Sequence, residues 1–267
     1  MSIHVQSFDT LHQAREVLGS SSRYIGGGTL LMRQVNYGDQ SFDQLVHSGD
    51  PALKEIHIQG DDIRLGAGVT MTEILQHPQL EFLSEVARSV GGPAIRNMAT
   101  IGGNLFAPRP YGDMTTALLA LNADLQWASG RQGTVEEFLE QTFVDHDIVT
   151  SLSFQRPASG AFRYLKVSRV KPKGVALITI AALLNRDSGR IGNVRIVFGG
   201  MAPKPRRAKA SELSLQGALL DEAGIQRCLD TCTEGMEPAD DSLASSWYRN
   251  EVAPVYLKRL LLQRSAG

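Results

Sequence analysis

An α+β fold is predicted, on three observations. The chain opens as strand, glycine turn and helix. Its apolar period then changes to two over residues 53–69. Beyond residue 160, three strands precede two closing helices. Taken in order, residues 3–7 alternate as a short strand, and Asp9 stands as the cap of a helix in which Leu11, Ala14 and Leu18 share a face. Residues 23–25 form a second strand that ends in Gly26, Gly27, Gly28 and Thr29, and Leu30, Leu31 and Met32 begin a helix directly after it.

Ile56 and Ile58 alternate with polar residues, Gly60, Asp61 and Asp62 turn the chain, and Ile63 and Leu65 return it as a hairpin. Thr70 and Glu73 have the spacing of a capping box. Leu80, Leu83, Val86 or Ala87, and Val90 form the stripe of a longer helix, stopped by Gly91, Gly92 and Pro93. A second glycine loop, Thr100-Ile101-Gly102-Gly103-Asn104, precedes a helix over 114–121, and strands are expected over 124–128 and 148–154. Residues 156–160, Arg-Pro-Ala-Ser-Gly, form the best linker candidate. After it, strands are expected over 162–167, 175–184 and 194–198, then helices over 221–232 and 246–263. No internal repeat or low-complexity tract is present.

Composition excludes several classes of function. The 267 residues are 42% hydrophobic and 21% charged, with a formal net charge of −1, so the chain lacks the basic excess of a general nucleic-acid binder. Nothing approaches the roughly 18 apolar residues of a membrane span, and the N-terminus has no basic region followed by an apolar run. A cytoplasmic protein is expected. Cys228 and Cys232 are too few for an iron–sulfur cluster, which needs about four thiolates, and read as small packing residues. The basic run over 204–209 reads as a solvated loop or a subunit contact.

The two glycine loops carry the functional signal. Glycine lets a ligand approach the main chain, and successive N–H groups in such turns can cradle an anion such as a dinucleotide pyrophosphate. Alone, either loop is a weak signal, since Gly-Gly-Gly after a strand is an ordinary turn more often than a ligand site. Gly26, Gly27 and Gly28 also lack the third glycine of the G-x-G-x-x-G fingerprint, so a Rossmann NAD site is not supported.

The surroundings of the second loop decide. Residues 92–104, Gly-Pro-Ala-Ile-Arg-Asn-Met-Ala-Thr-Ile-Gly-Gly-Asn, lead to Asp113 and then to Ala117-Leu118-Leu119-Ala120-Leu121. This strongly resembles the flavin-binding medium subunit of the xanthine dehydrogenase and carbon monoxide dehydrogenase family of molybdenum hydroxylases. The resemblance continues in Gly26-Gly27-Gly28-Thr29-Leu30 and in residues 198–208, and covers nearly the whole chain.

It implies a two-lobed, PCMH-type FAD-binding domain over residues 1–156, with lobes of about 1–52 and 53–156. A smaller α+β domain over 161–267 would follow, with a three-stranded antiparallel sheet and helices. Gly26, Gly27, Gly28, Thr29 and Leu30 would wrap one side of the FAD pyrophosphate, and Thr100, Ile101, Gly102, Gly103 and Asn104 the other. The Thr29 and Thr100 hydroxyls would be extra donors. Asp113 would accept from cofactor hydroxyls, cap the following helix, or both. By the same resemblance Tyr164 and Lys166 lie near the isoalloxazine ring, Tyr164 stacking on it or filling core, and Lys166 stabilising the reduced flavin or facing solvent. Val149 would be an apolar wall.

The implied function is that of the FAD-carrying electron-transfer subunit. A large subunit would hold the molybdenum cofactor and a small subunit two [2Fe–2S] centres. The flavin, bound non-covalently, would pass electrons to NAD, oxygen or another acceptor. The alternatives are a flavin-free assembly module of the same fold and a self-sufficient FAD oxidoreductase. A covalent flavin enzyme would carry a histidine in the first glycine loop, and none lies between Gly26 and Gln34. The chain departs from the family pattern at Leu30, where a polar residue is usual, at residues 171–174 (Lys-Pro-Lys-Gly), and in the bulky Arg109-Pro110-Tyr111. The last is expected to shape access or a subunit contact.

Overall fold

The structure, a computed structural model, describes residues 3–140, 147–170 and 174–262. Its strands form three sheets in chain order. The first is parallel, with β1 (His4–Phe8), β2 (Ser22–Tyr24) and β3 (Gln44–Ser48) in the order β1-β3-β2. The sequence reading missed β3. As the central strand it buries the adjacent residues Leu45 and Val46, so it lacks the alternation that marks a half-exposed strand. Thr10, not Asp9, caps the first helix, Leu11–Glu16, by accepting from the Gln13 N–H. The helix after the first glycine loop is Leu31–Asn36, and Leu30 gives it no side-chain cap.

The second sheet is antiparallel: β4 (Ile56–Gln59), β5 (Asp62–Gly66), β6 (Asp124–Trp127), β7 (Gln132–Thr134) and β8 (Val149–Gln155), in the order β4-β5-β8-β6-β7. The expected hairpin is β4–β5, with Gly60 at φ +61 in its turn. Thr70 and Glu73 form the capping box of the helix Met71–Gln76. The expected helix over residues 80–90 is divided. Pro78 opens a 3-10 segment, Pro78–Leu83, the chain leaves helical angles at Leu80, and an α segment resumes over Ser84–Ser89. The apolar stripe survives the break, with Leu80, Leu83, Val86 and Ala87 fully buried. Periodicity reports which side chains turn inward, and two short segments can satisfy it as well as one helix.

The third sheet is antiparallel, with β9 (Phe162–Ser168), β10 (Ala176–Asp187), β11 (Arg190–Gly199) and β12 (Arg206–Arg207) in the order β12-β11-β10-β9. It has one short strand more than expected. β10 is buried on both faces along most of its length. The helix Asp113–Ala120 covers one face. The helices Lys209–Leu215, Gln226–Asp230 and Ser246–Leu261 cover the other. Lys209–Leu215 was not expected, and the helix expected over 221–232 shortens to Gln226–Asp230. The end of the last expected helix, Gln263, lies outside the described residues.

The helix Asp113–Ala120 has all eight residues buried, which fits its small and apolar run over 117–120. Asp113, Thr115 and Thr116 are buried with hydrogen-bond partners. It lies between the second and third sheets. Thr116 Oγ1 sits 3.1 Å from Thr179 Oγ1 of β10, and the main core reaches across to Tyr164, Ala181 and Val197.

The basic run is partly exposed, and its cations also make contacts within the chain. Lys204 Nζ donates to the Leu139 carbonyl at 2.9 Å. Arg207 pairs with Glu136 at 2.7 Å and Glu212 at 2.6 Å, and Lys209 reaches Glu136 at 2.9 Å. These cations tie the helix Val135–Glu140 to the third sheet. Burial opposes ionisation of Glu136, but hydrogen bonds from Lys209 and Arg207 outweigh it and hold the carboxyl below its ordinary range.

Candidate cofactor site

Gly26 to Leu30 follow the carboxyl end of β2, where a parallel strand hands the chain to a helix. The main-chain N–H groups of Gly26, Gly27, Gly28, Thr29 and Leu30 have no hydrogen-bond partner among the described residues. Gly28, at φ +68, supplies the left-handed step that lets neighbouring N–H groups form a nest. Leu30 gives the helix that follows no side-chain cap.

The second loop differs. It is itself a short helix, Ile101–Leu105, capped by Thr100, whose Oγ1 accepts from the Gly103 N–H at 3.1 Å. Ile101 N–H donates to the Val69 carbonyl, Gly102 N–H to Ala67, and Asn104 N–H to Thr100. The four N–H groups from Ile101 to Asn104 are therefore committed to the fold. The two loops therefore differ: the first has free donors, and the second contributes a surface, with the Thr100 hydroxyl hydrogen still free to donate.

The loops meet at backbone distance. A Cβ built on Gly27 would lie 1.6 Å from the Met98 carbonyl oxygen, and one on Gly102 would lie 2.7 Å from the Ala67 Cβ. Glycine at these two positions is required by close approach within the protein.

Between the loops lies a cavity of about 940 Å³. That is at the upper end of the roughly 300–1,000 Å³ usual for small-molecule and cofactor sites. Of the sequence candidates, Gly26, Gly27, Gly28, Thr29, Leu30, Thr100, Gly102, Gly103, Asn104, Asp113, Val149 and Lys166 line it. Ile101 and Tyr164 do not. Ile101 is fully buried beneath the second loop, and Tyr164 packs in the main core.

Asp113 is the first residue of its helix, and Gly112, at φ +94, is the cap. Asp113 Oδ2 lies 2.7 Å from Lys166 Nζ. Burial raises the Asp113 pKa, against the opposing charge and hydrogen bond of Lys166. Gly174 lines the cavity, and Lys171, Pro172 and Lys173 lie outside the described residues.

Residues that no motif announced complete the wall. Arg131 stacks over the Trp127 ring at 4.9 Å, and both line the cavity beside Phe138 and Ile148. Arg33 lines it too, and its guanidinium donates to the Tyr111 hydroxyl at 2.5 Å, joining the helix after the first loop to the segment after the second. The Arg33–Tyr111 contact joins residues far apart in the chain, so no local signal announces it, whereas Arg131 and Trp127 share the β6–β7 hairpin.

This is the arrangement of a protein that binds an extended, anion-bearing cofactor between a nest of free N–H groups and an aromatic and cationic wall. FAD fits it. Five free donors and the Thr100 hydroxyl suit a diphosphate, and the rings suit flat heterocycles.

Comparison with known proteins is consistent with that class. The family described as FAD binding domain in molybdopterin dehydrogenase matches residues 2–154, and the CO dehydrogenase flavoprotein C-terminal domain matches residues 163–264. The chain belongs to the FAD-binding family of the molybdopterin dehydrogenases. It is 28% identical to the glyceraldehyde dehydrogenase medium chain of Sulfolobus acidocaldarius, over 92% of each chain. It is 24% identical to the xanthine dehydrogenase FAD-binding subunit of Escherichia coli O157:H7, over 97% of this chain and 94% of that one. A solved structure of carbon monoxide dehydrogenase from Hydrogenophaga pseudoflava superposes with a TM-score of 0.90 at 22% identity, covering 98% of this chain and 96% of that one. This last likeness supports the fold.

Proposed function

We propose that this chain holds FAD non-covalently between its two glycine loops and serves as the electron-transfer subunit of a molybdenum-containing hydroxylase. The observation that carries the reading is the row of five unpartnered N–H groups, Gly26 to Leu30, on the wall of a dinucleotide-sized cavity. Hydrogen bonds to a charged group contribute about 1.5–3 kcal/mol each, so four or five can hold a diphosphate against its desolvation. Neither histidine nor cysteine is among the described residues lining the cavity, which favours non-covalent attachment.

FAD, when bound, supplies the electron-carrying chemistry. The protein's share is to bind, orient and shield it. Gly26 to Leu30 take the pyrophosphate, Thr100 adds a hydroxyl donor, and Gly102, Gly103 and Asn104 shape the facing wall. Val149 gives an apolar surface, and the Asp113–Lys166 pair sets the local charge. The reading assigns residues 1–156 to the FAD-binding domain, in lobes 1–52 and 53–156, and residues 161–267 to the C-terminal domain. The two family matches, which divide between residues 154 and 163, support this.

In the complex, electrons would arrive from [2Fe–2S] centres on a small subunit, after substrate oxidation at the molybdenum cofactor of a large one. NAD, oxygen or another acceptor would take them from the flavin. The names of the relatives, medium chains and an FAD-binding subunit of dehydrogenases, support this division of labour. The test is direct. The purified chain, alone or after addition of FAD, is expected to show flavin absorbance, with intact FAD released by acid. A chain that takes up no FAD under either condition would overturn the reading in favour of a flavin-free module.

A further inference from the structure

We propose that Ser89 and Tyr164 are positioning residues which, with Asp113, hold Lys166 as a directed cation on the cavity wall, and so set how strongly bound FAD favours its reduced form. This inference rests on the FAD reading above.

The geometry is a matter of counting protons. A lysine ammonium has three N–H donors and no acceptor. In Lys166 one donates to the Ser89 carbonyl at 2.9 Å and a second to Asp113 Oδ2 at 2.7 Å. The third has no partner among the described residues, and the side chain lines the cavity. Two bonds fix the direction of the third. Lysine is ordinarily a mobile point charge, yet here both partners come from the ends of packed helices, Ser84–Ser89 and Asp113–Ala120.

Ser89 is fixed in turn. Its hydroxyl donates to the Val86 carbonyl at 2.6 Å, which uses its only hydrogen. The Tyr164 hydroxyl lies 3.1 Å from Ser89 Oγ and also faces the Asp113 carboxylate. Tyr164 is buried in the main core and absent from the cavity wall, so it reaches a ligand through Ser89 and Asp113. Burial and the neighbouring Asp113 charge both raise the Tyr164 pKa and keep its proton in place.

Orientation decides the effect because Asp113 also lines the cavity. A neutral ion pair acts on a ligand as a dipole, and its sign there depends on which end is nearer. With the ammonium held forward, electrons added to the isoalloxazine ring meet a positive charge and the reduced form is favoured. With the ammonium free to swing back, the carboxylate dominates.

The experiment measures the midpoint potential of FAD in the reconstituted full-length chain, together with the Kd of oxidised FAD. Lys166→Met is expected to lower the ratio of reduced to oxidised flavin at fixed potential at least tenfold, or about 30 mV for a two-electron couple. Tyr164→Phe and Ser89→Ala are expected to lower it severalfold in the same direction. Lys166→Arg is expected to restore part of it, and Cys228→Ala, in the distant second core, to leave it unchanged. The Kd of oxidised FAD should move no more than twofold in Tyr164→Phe. An unmoved potential in folded, FAD-loaded Tyr164→Phe and Lys166→Met overturns the proposal. A wild-type chain that binds no FAD instead overturns the FAD reading, and this inference with it.

Discussion

At Gly27 the cost of one methyl group is set by a backbone atom that cannot move alone. The Met98 carbonyl stands 1.6 Å from where a Cβ would fall, so Gly27→Ala must part the two loops. A loss of about 1–3 kcal/mol is expected from the overpacking, together with loss of FAD, read from the melting temperature and the flavin-to-protein absorbance ratio. Gly103 gives the contrast. A Cβ there meets only the Thr100 Oγ1, at 2.9 Å, and the residue is exposed at the cavity wall. Gly103→Val is expected to keep stability within about 1 kcal/mol while flavin occupancy collapses, because the new side chain takes ligand space. Retained occupancy in that variant would show that the ligand does not run along this wall. Cys228→Ala should leave occupancy unchanged. Both cysteines are buried in the second core, where burial pushes each thiol up to about 12, so neither should react readily with thiol reagents at neutral pH.

Among the elements, the long closing helix Ser246–Leu261 is held by an arginine that is almost wholly buried. Arg249 donates to both Asp241 oxygens at 2.9 Å and to the carbonyls of Leu177, Ala239 and Ala244. Arg249→Ala would leave those acceptors without their donor, and a loss of about 3 kcal/mol is expected. That is the low end for a broken buried pair, since Asp241 is partly exposed. Arg249→Lys should recover little, because an ammonium cannot reproduce the two-pronged contact.

The pair also predicts a pH dependence. Slight burial works against the Asp241 charge, but the Arg249 hydrogen bond and the Ala244 and Leu243 N–H groups outweigh it and hold the folded pKa below the ordinary value. The unfolded chain therefore binds the proton more readily. The stabilisation is complete above the unfolded pKa of about 3.9 and is lost as pH falls through the lower folded value. Melting temperatures taken through the acid range should fall less steeply in Asp241→Asn than in the wild type. Equal slopes would show that the pair contributes nothing to acid sensitivity.

For the whole molecule, the decisive feature is the third sheet, whose two faces serve different cores. One face joins the helix Asp113–Ala120 and carries Lys166 and Tyr164 to the cavity side. The other is closed by the C-terminal helices. The two regions matched by separate families are thus coupled through one sheet, and cooperative unfolding is expected, with flavin fluorescence and far-ultraviolet circular dichroism changing together. With two cysteines in the chain, and no group of three or more metal-ligating side chains among the described residues, clusters would have to be supplied by partners. Co-expression with adjacent reading frames should yield a larger complex on size exclusion, containing iron and molybdenum. A lone monomer that oxidised a substrate with FAD and an acceptor would refute the subunit reading and support a self-sufficient oxidoreductase.

What the sequence by itself determined is local or carried by motif: the α+β class, the β4–β5 hairpin, the Thr70–Glu73 capping box, the buried stripe from Leu80 to Ala87, and the family, through the Thr-Ile-Gly-Gly-Asn segment. Each rests on neighbours in the chain or on a run of residue types that few other contexts need. Tertiary structure alone decided which loop keeps its N–H groups free, because the acceptors for the second loop, Ala67 and Val69, lie more than thirty residues upstream. It also placed Tyr164 beneath the cavity wall, against Ser89. Alternation along β9 says that a side chain is buried, but only the element packed above it says against what. The strand β3 stayed hidden for the same reason, since a central strand covered on both faces has no exposed side to set a rhythm.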